Sequence, residues 1–227
     1  APFCFADTIT LKNGKTLEGD IKSQETETVT IEIFKTLFTY KRQEISSING
    51  KPLDGSSQKL NYTEKGIEAF DKHQLEKAID LFNQALTNNE PPSEIYLNRG
   101  LTYRKQGEYD KAIADYTSSI KHNPDNPPAY LYRGIAYSIT GQNDLALKDF
   151  NAAIRLDPNS SSAYFNRGAF YQRNLAYERA LHDYSQAITI SPKLVDAYIN
   201  RGVLYSEKGL LPQAITDFTK ALDINPK

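Results

Sequence analysis

Between residues 8 and 48, apolar and polar side chains alternate at a period of two, the pattern of strands with one covered face. Ile9 and Leu11 share a face, as do Leu17, Gly19 and Ile21, and then Val29, Ile31 and Ile33. Phe38 and Tyr40 continue the pattern, and Ile45 and Ile48 close it. Asn13-Gly14 reads as a hairpin turn, because both positions tolerate positive φ. So small a set of strands covers its apolar face only by curling into a barrel or leaning on a neighbour. From residue 59 the pattern changes to a longer, exact period. Glycines stand at 66, 100, 134, 168 and 202, each 34 residues after the last.

Other positions recur in the same register. Tyr62, Tyr96, Tyr130, Tyr164 and Tyr198 precede the glycines by one helical turn. Ala78, Ala112, Ala146, Ala180 and Ala214 follow, each trailed by an aromatic: Phe82, Tyr116, Phe150, Tyr184 and Phe218. The last four units add Tyr103, Tyr137, Tyr171 and Tyr205, and the prolines Pro124, Pro158, Pro192 and Pro226. This signature resembles the tetratricopeptide repeat, which implies a superhelix of paired antiparallel helices. The expected fold is therefore α+β: a small β-barrel-like unit followed by an all-α superhelix of five helix pairs. Expected boundaries are 7–50 for the β unit, 51–58 for a Gly/Ser/Pro linker, and 59–227 for the repeats (59–92, 93–126, 127–160, 161–194 and 195–227).

Within each repeat, glycine and alanine are small where two helices cross, and the tyrosines fill the space around the crossing. All tyrosines except Tyr40 and Tyr132 occupy recurring slots, so their abundance is explained by the scaffold. Gly107, Gly141 and Gly209 are expected to end first helices in the left-handed conformation. Leu175 takes that slot in the fourth repeat, where a looser turn, or one carried by Asn174, is expected. Before each glycine stands a base: Lys65, Arg99, Arg133, Arg167 or Arg201. Asp115, Asp149, Asp183 and Asp217 recur at the same period, and an Arg–Asp pairing with packed arginine stems is the expected result.

Composition narrows the chemistry. Formal charge is −1, which gives no overall attraction to nucleic acid or anionic lipid, and no apolar run is long enough to span a bilayer. One cysteine, Cys4, excludes an intrachain disulfide framework, and His73, His122 and His182 have no ligand spacing. No metal, cofactor or catalytic constellation is expected. Segment Ile9-Thr-Leu11-Lys-Asn-Gly14-Lys-Thr-Leu17-Glu-Gly19-Asp-Ile21 resembles the first motif of Sm-like small barrels. The region Glu44–Gly50 lacks the Arg-Gly pair of their second motif, so a packing or docking module is expected there and not an RNA binder. Cys4 and Ala6, two apart before Asp7, look like the small-x-small end of a secretory signal. Residues 1–6 as a signal remnant imply a periplasmic or secreted protein; otherwise the expectation is cytoplasmic.

The family resemblance places a ligand on the concave side, lined by first helices. Its slots hold Thr63/Ile67, Leu97/Leu101, Leu131/Ile135, Phe165/Ala169 and Ile199/Val203, each pair sharing one helical face. Ile139 extends this apolar stripe, and Arg104, Lys105 and Arg173 give it a basic rim. A stripe of this kind suits a protein or peptide partner with acidic residues beside apolar anchors. The carboxylate clamp by which some relatives hold chaperone tails maps onto Thr63, Ile67, Asn98, Pro128 and Tyr132, where Asn98 alone matches. A non-enzymatic interaction scaffold is the expected function. The alternative is self-assembly into a homo-oligomer through the C-terminal repeat, which has no polar capping helix behind it.

Overall fold

Alternation at period two becomes an antiparallel sheet. The computed structural model describes residues 7–11, 14–24, 28–33, 36–41, 44–48, 51–52 and 61–226. Its strands are β1 (Asp7–Leu11), β2 (Thr16–Gln24), β3 (Thr28–Ile33), β4 (Thr36–Lys41), β5 (Ile45–Ile48) and β6 (Lys51–Pro52), in the order β4-β3-β2-β1-β5-β6. Gly14, at φ +86, sits in the β1–β2 hairpin, and its N–H donates to the Leu11 carbonyl. Ile9 lies opposite both Leu17 and Ile48, and Val29 lies opposite Tyr40. Ile9, Val29, Ile31 and Ile45 form the buried core of this unit, with Leu11 and Tyr40 packed against it. Register shifts at Thr10/Leu11 and Ile21/Ser23 bend β1 and β2. The expected small β unit is present. Its closure into a barrel is not: among the described residues no pairing joins β4 to β5 or β6. The sheet also runs on through Lys51–Pro52, which the sequence assigned to the linker, while 53–58 and the signal-like residues 1–6 lie outside the described residues.

The second unit begins at Tyr62. Among the described residues it contains α1 (Tyr62–Asp71), α2 (Leu75–Thr87), α3 (Pro92–Gln106), α4 (Tyr109–His122), α5 (Pro127–Ile139), α6 (Asn143–Leu156), α7 (Ser161–Arg173), α8 (Tyr177–Ile190), α9 (Val195–Glu207) and α10 (Leu211–Ile224). These are the five expected pairs. The glycine register follows from contact: a Cβ on Gly100 would stand 2.7 Å from the Tyr116 ring, so only hydrogen fits at the crossing. None of these helices is long and apolar enough to cross a membrane.

Each first helix ends in the same turn. His73, Gly107, Gly141, Leu175 and Gly209 all adopt positive φ, and the next residue's N–H reaches back to a carbonyl in the last turn. The fourth repeat is therefore not looser. Leu175 itself takes φ +59, while Asn174 stays at φ −94 and its amide donates to the Phe170 carbonyl.

The arginine ladder braces the stack. Arg133 donates from Nε and Nη2 to the two Asp149 carboxylate oxygens, at 2.7 and 2.9 Å, and from Nη1 to Thr117 Oγ1 at 3.0 Å. Arg99, Arg167 and Arg201 repeat the fork on Asp115, Asp183 and Asp217. Their third bonds go to Asn83, Asn151 and Ser185. Each guanidinium thus links its own second helix to the second helix before it. It also lies between two repeat tyrosines, 5.4–6.0 Å from their ring centres. The fork strengthens the arginine's hold on its proton, most clearly in Arg99, Arg167 and Arg201, where the aspartate bond outweighs burial.

Candidate functional site

The apolar slots of α1, α3, α5, α7 and α9 do not form one uniform stripe. Thr63 is buried, and its hydroxyl donates to Glu90 at 2.6 Å. Leu131 was expected to face solvent, and that expectation fails. At 7% exposure it belongs to the core made by Ala146, Phe150, Ala153, Ala163 and Phe170. Ile67, Leu97, Leu101 and Ile135 are half-buried against the cores of their own repeats. Phe165 is half-buried, its ring 5.8 Å from that of Tyr184, and Ala169 and Val203 are similarly part-covered. Ile139 and Ile199 are the open members, at 44% and 40% exposure. What remains accessible is a discontinuous apolar surface.

Polar groups lie beside it. Lys105 is exposed, with its ammonium 4.7 Å from the Phe70 ring centre. Arg104 lies over the Tyr132 ring at 5.6 Å, and Tyr132 stacks on Tyr116 at 6.2 Å. Arg173 reaches back from α7, its Nη1 3.5 Å from the Ser138 carbonyl at the end of α5. Unlike the ladder arginines, Arg104 and Arg173 form no ion pair among the described residues. Arg104 Nε, the Tyr116 hydroxyl and Ser138 Oγ are all buried, and Arg104 is the hydrogen-bonding neighbour of the Tyr116 hydroxyl.

The equivalent slots two repeats on are satisfied. Tyr184 donates to Gln172 Oε1 at 2.6 Å and accepts from the Asn200 amide at 3.4 Å. Burial pushes the Tyr184 phenol up to about 12, against the Asn200 bond and the Arg173 charge. Burial raises the Tyr116 phenol further, opposed by the charge of Arg104 and by a hydrogen bond from it.

The histidines are not brought together. His73 sits in the first inter-helix turn, His122 stacks on Tyr96 at 5.7 Å, and His182 is exposed on α8. Among the described residues no group of three or more histidine, cysteine or carboxylate side chains could hold a metal ion.

Two further residues matter that the repeat pattern did not single out. Tyr132 had a readable signal, because it is the one tyrosine of the array outside the recurring slots. Glu90 occupies, in the first repeat, the slot held by proline in the other four. Its carboxylate accepts from the Tyr62 and Thr63 N–H groups at 3.0 Å, capping the start of α1.

Comparison with known proteins agrees with this architecture. A tetratricopeptide-repeat profile matches residues 93–126 and 195–227. A TPR-repeat profile matches 139–174 and 176–209, and a further tetratricopeptide-repeat profile matches 116–148. A crystal structure of MamA is 26% identical, with TM-score 0.63 over 71% of this chain and 94% of its own. MamA from Desulfovibrio magneticus RS-1 is 18% identical, with TM-score 0.65 over 75% of this chain and 97% of its own. YrrB, described as a TPR protein with an unusual peptide-binding site, is 22% identical, with TM-score 0.57 over 75% of this chain and 89% of its own. No curated protein matches the chain.

Proposed function

Because this chain belongs to the tetratricopeptide-repeat family, we propose that it is a non-enzymatic scaffold holding a peptide segment of a partner protein along its first helices. The observation that supports this most is the presence on the first helices of open apolar side chains, Ile139 and Ile199, and of two arginines, Arg104 and Arg173, that hold no carboxylate among the described residues. YrrB carries a peptide-binding site on a similar fold, but at 22% identity the likeness extends to the fold alone. The peptide reading rests on the side chains of this chain. Apolar anchors would contribute about 25 cal/mol per Å² of apolar area removed from water. The arginines would set association rate and salt dependence. Selection of random dodecapeptides on the immobilised chain is expected to enrich apolar residues at helical or alternate spacing beside Asp or Glu. Ile139→Glu with Ile199→Glu should abolish that binding at unchanged melting temperature; retained binding would overturn the reading.

A second reading, self-assembly, is supported by Leu211, Ile215 and Leu222, all strongly exposed on α10. Light scattering across a concentration series is expected to show a rising mass that Ile215→Glu abolishes, and a constant mass would remove this reading. An extracytoplasmic location is proposed with the scaffold role on residues 1–6 alone, and fractionation of cells making the natural protein tests it.

A further inference from the structure

We infer that α10 pairs with α10 of a second copy of this chain, antiparallel about a two-fold axis, to form a closed dimer. This deepens the self-assembly reading and rests on it.

Leu211, Ile215, Phe218 and Leu222 lie along one face of α10, at intervals of four, three and four residues. The three aliphatic members are 57%, 64% and 61% exposed. Their counterparts in earlier repeats are covered: Ile79, Ile113, Leu147 and Leu181, at the slot of Ile215, are all half-buried. Phe82, Tyr116, Phe150 and Tyr184 are buried, whereas Phe218 at their slot is half-buried. A continuous apolar face of this kind marks an interaction surface.

In earlier repeats the covering element is the next first helix. Ala136 packs with Tyr116, Phe170 with Phe150, and Leu204 with Tyr184. The α1 helix has Glu68 at that slot, exposed and paired with Lys72 at 3.7 Å. Seating α1 of a second copy on α10 would desolvate both charges against isoleucine and phenylalanine, so head-to-tail stacking is disfavoured.

The α10 face suits itself. Intervals of four, three and four read the same in both directions. Reversing one copy therefore sets Leu211 against Leu222 and Ile215 against Phe218, with every apolar position matched. The helix ends agree in charge. Every other second helix has an acid in its first turn (Glu76, Asp110, Asp144 or Glu178), but α10 has Pro212 at that slot and no acid there. Asp223 stands instead in its last turn, exposed, opposed by its own helix dipole and without an ion pair among the described residues. Antiparallel pairing brings each Asp223 to the N-terminus of the other copy's α10, where a negative charge is favoured. Such a contact uses the same face on both copies and so closes at two.

The test joins mass to cross-linking in the full chain. Sedimentation equilibrium should show a mass that rises to twice that of one chain and stops. Dissociation in the micromolar range is expected, because a single helix face is at the low end of specific interfaces. With Cys4 replaced by serine, chains carrying Leu211→Cys and chains carrying Leu222→Cys are oxidised separately and as a mixture. The mixture should form a disulfide-linked pair, because reversal brings the two positions together. Neither chain alone should link, because the helix rise keeps like positions about 16 Å apart, beyond the roughly 7 Å that a disulfide spans. Both should still dimerise under reducing conditions, which separates failure to link from failure to pair. Asp223→Lys should weaken the dimer at least fivefold at low salt without lowering the melting temperature of the dilute chain. A mass that grows past two chains, with no linking in the mixture, would keep self-assembly and overturn this arrangement. Linking of each cysteine chain with itself, or a dimer indifferent to Asp223→Lys, would overturn it as well. A constant mass of one chain would remove the self-assembly reading together with the dimer.

Discussion

Replacing Arg133 by alanine removes both bonds of the fork on Asp149 and leaves that carboxylate in place. The pair is largely withdrawn from water, with side-chain exposures of 16% and 4%. Breaking a buried pair from one side costs about 3–5 kcal/mol, because the remaining charge has lost both water and partner. With a urea slope of about 2 kcal/mol per M, the unfolding midpoint should fall by roughly 1.5–2.5 M. Removing both charges is a different perturbation. Arg133→Met with Asp149→Leu should stay within about 1 kcal/mol of the parent or exceed it, since neither charge is then desolvated. Urea unfolding by far-ultraviolet circular dichroism reads both variants. Repeat arrays unfold as coupled units, so the single variant should also broaden the transition. Equal losses in the single and double variants would refute the reasoning. The arginine would then act through packing of its stem near Tyr130 and Tyr137. Peptide affinity should be unchanged in either case, because the ladder arginines already hold their carboxylates.

Leu175 is 72% exposed at φ +59, so Leu175→Gly relieves backbone strain without losing burial. The gain is about 0.5–1 kcal/mol, or roughly 1–4 °C in a thermal scan, and a lower melting temperature would contradict it. Leu131→Glu should destabilise by more than about 3 kcal/mol, whereas Ile139→Glu should stay within about 0.5, as melting curves of the two variants will show. Burial pushes the Glu90 carboxyl up, but bonds from Thr63, Tyr62 and Asn88 outweigh it and hold it below its ordinary 4.5. The resulting stabilisation is present above that value and is lost as pH falls through the lower native one. The melting difference between the parent and Glu90→Gln should therefore vanish on acidification from pH 7 towards 3; a difference that widened would have the wrong sign.

The helix pairs were legible because one small residue at a crossing and one aromatic facing it recur at a fixed interval. The strands were legible because Ile9, Val29, Ile31 and Ile45 alternate with polar neighbours. Barrel closure was not, since it depends on which strand edges meet and not on which face is apolar. Family slots put Leu131 and Ile199 on the same side of their helices, yet one is core and the other open. That difference lies in how the next pair packs, which a periodic pattern does not encode. Leu175 shows the reverse: the turn geometry belongs to the repeat, and the residue accepts the strain. Of the candidate site, the basic rim was visible in the sequence. The surroundings of the Tyr116 hydroxyl were not, because the same letter at the same slot meets Gln172 and Asn200 in repeat four.

The third bond of each ladder arginine gives the array a direction. Every guanidinium grips a carboxylate in its own repeat and reaches back one repeat, so a shift of one second helix is passed along its neighbours by a hydrogen-bonded linkage and not by side-chain contact alone. The first pair lies outside this pattern. It has Lys65 and Leu81 where the later repeats have arginine and aspartate, and it takes part only through Asn83, which accepts from Arg99. Its own two helices are held by apolar packing and by the Glu90 cap, and among the described residues no ion pair joins them. The two ends of the superhelix are therefore mechanically inequivalent. Repeats two to five are linked through their second helices, whereas α2 is tied to α3 by the Asn83 bond from Arg99 and the Glu76 bond from Gln106, so the first pair is the end expected to open at the lower free energy.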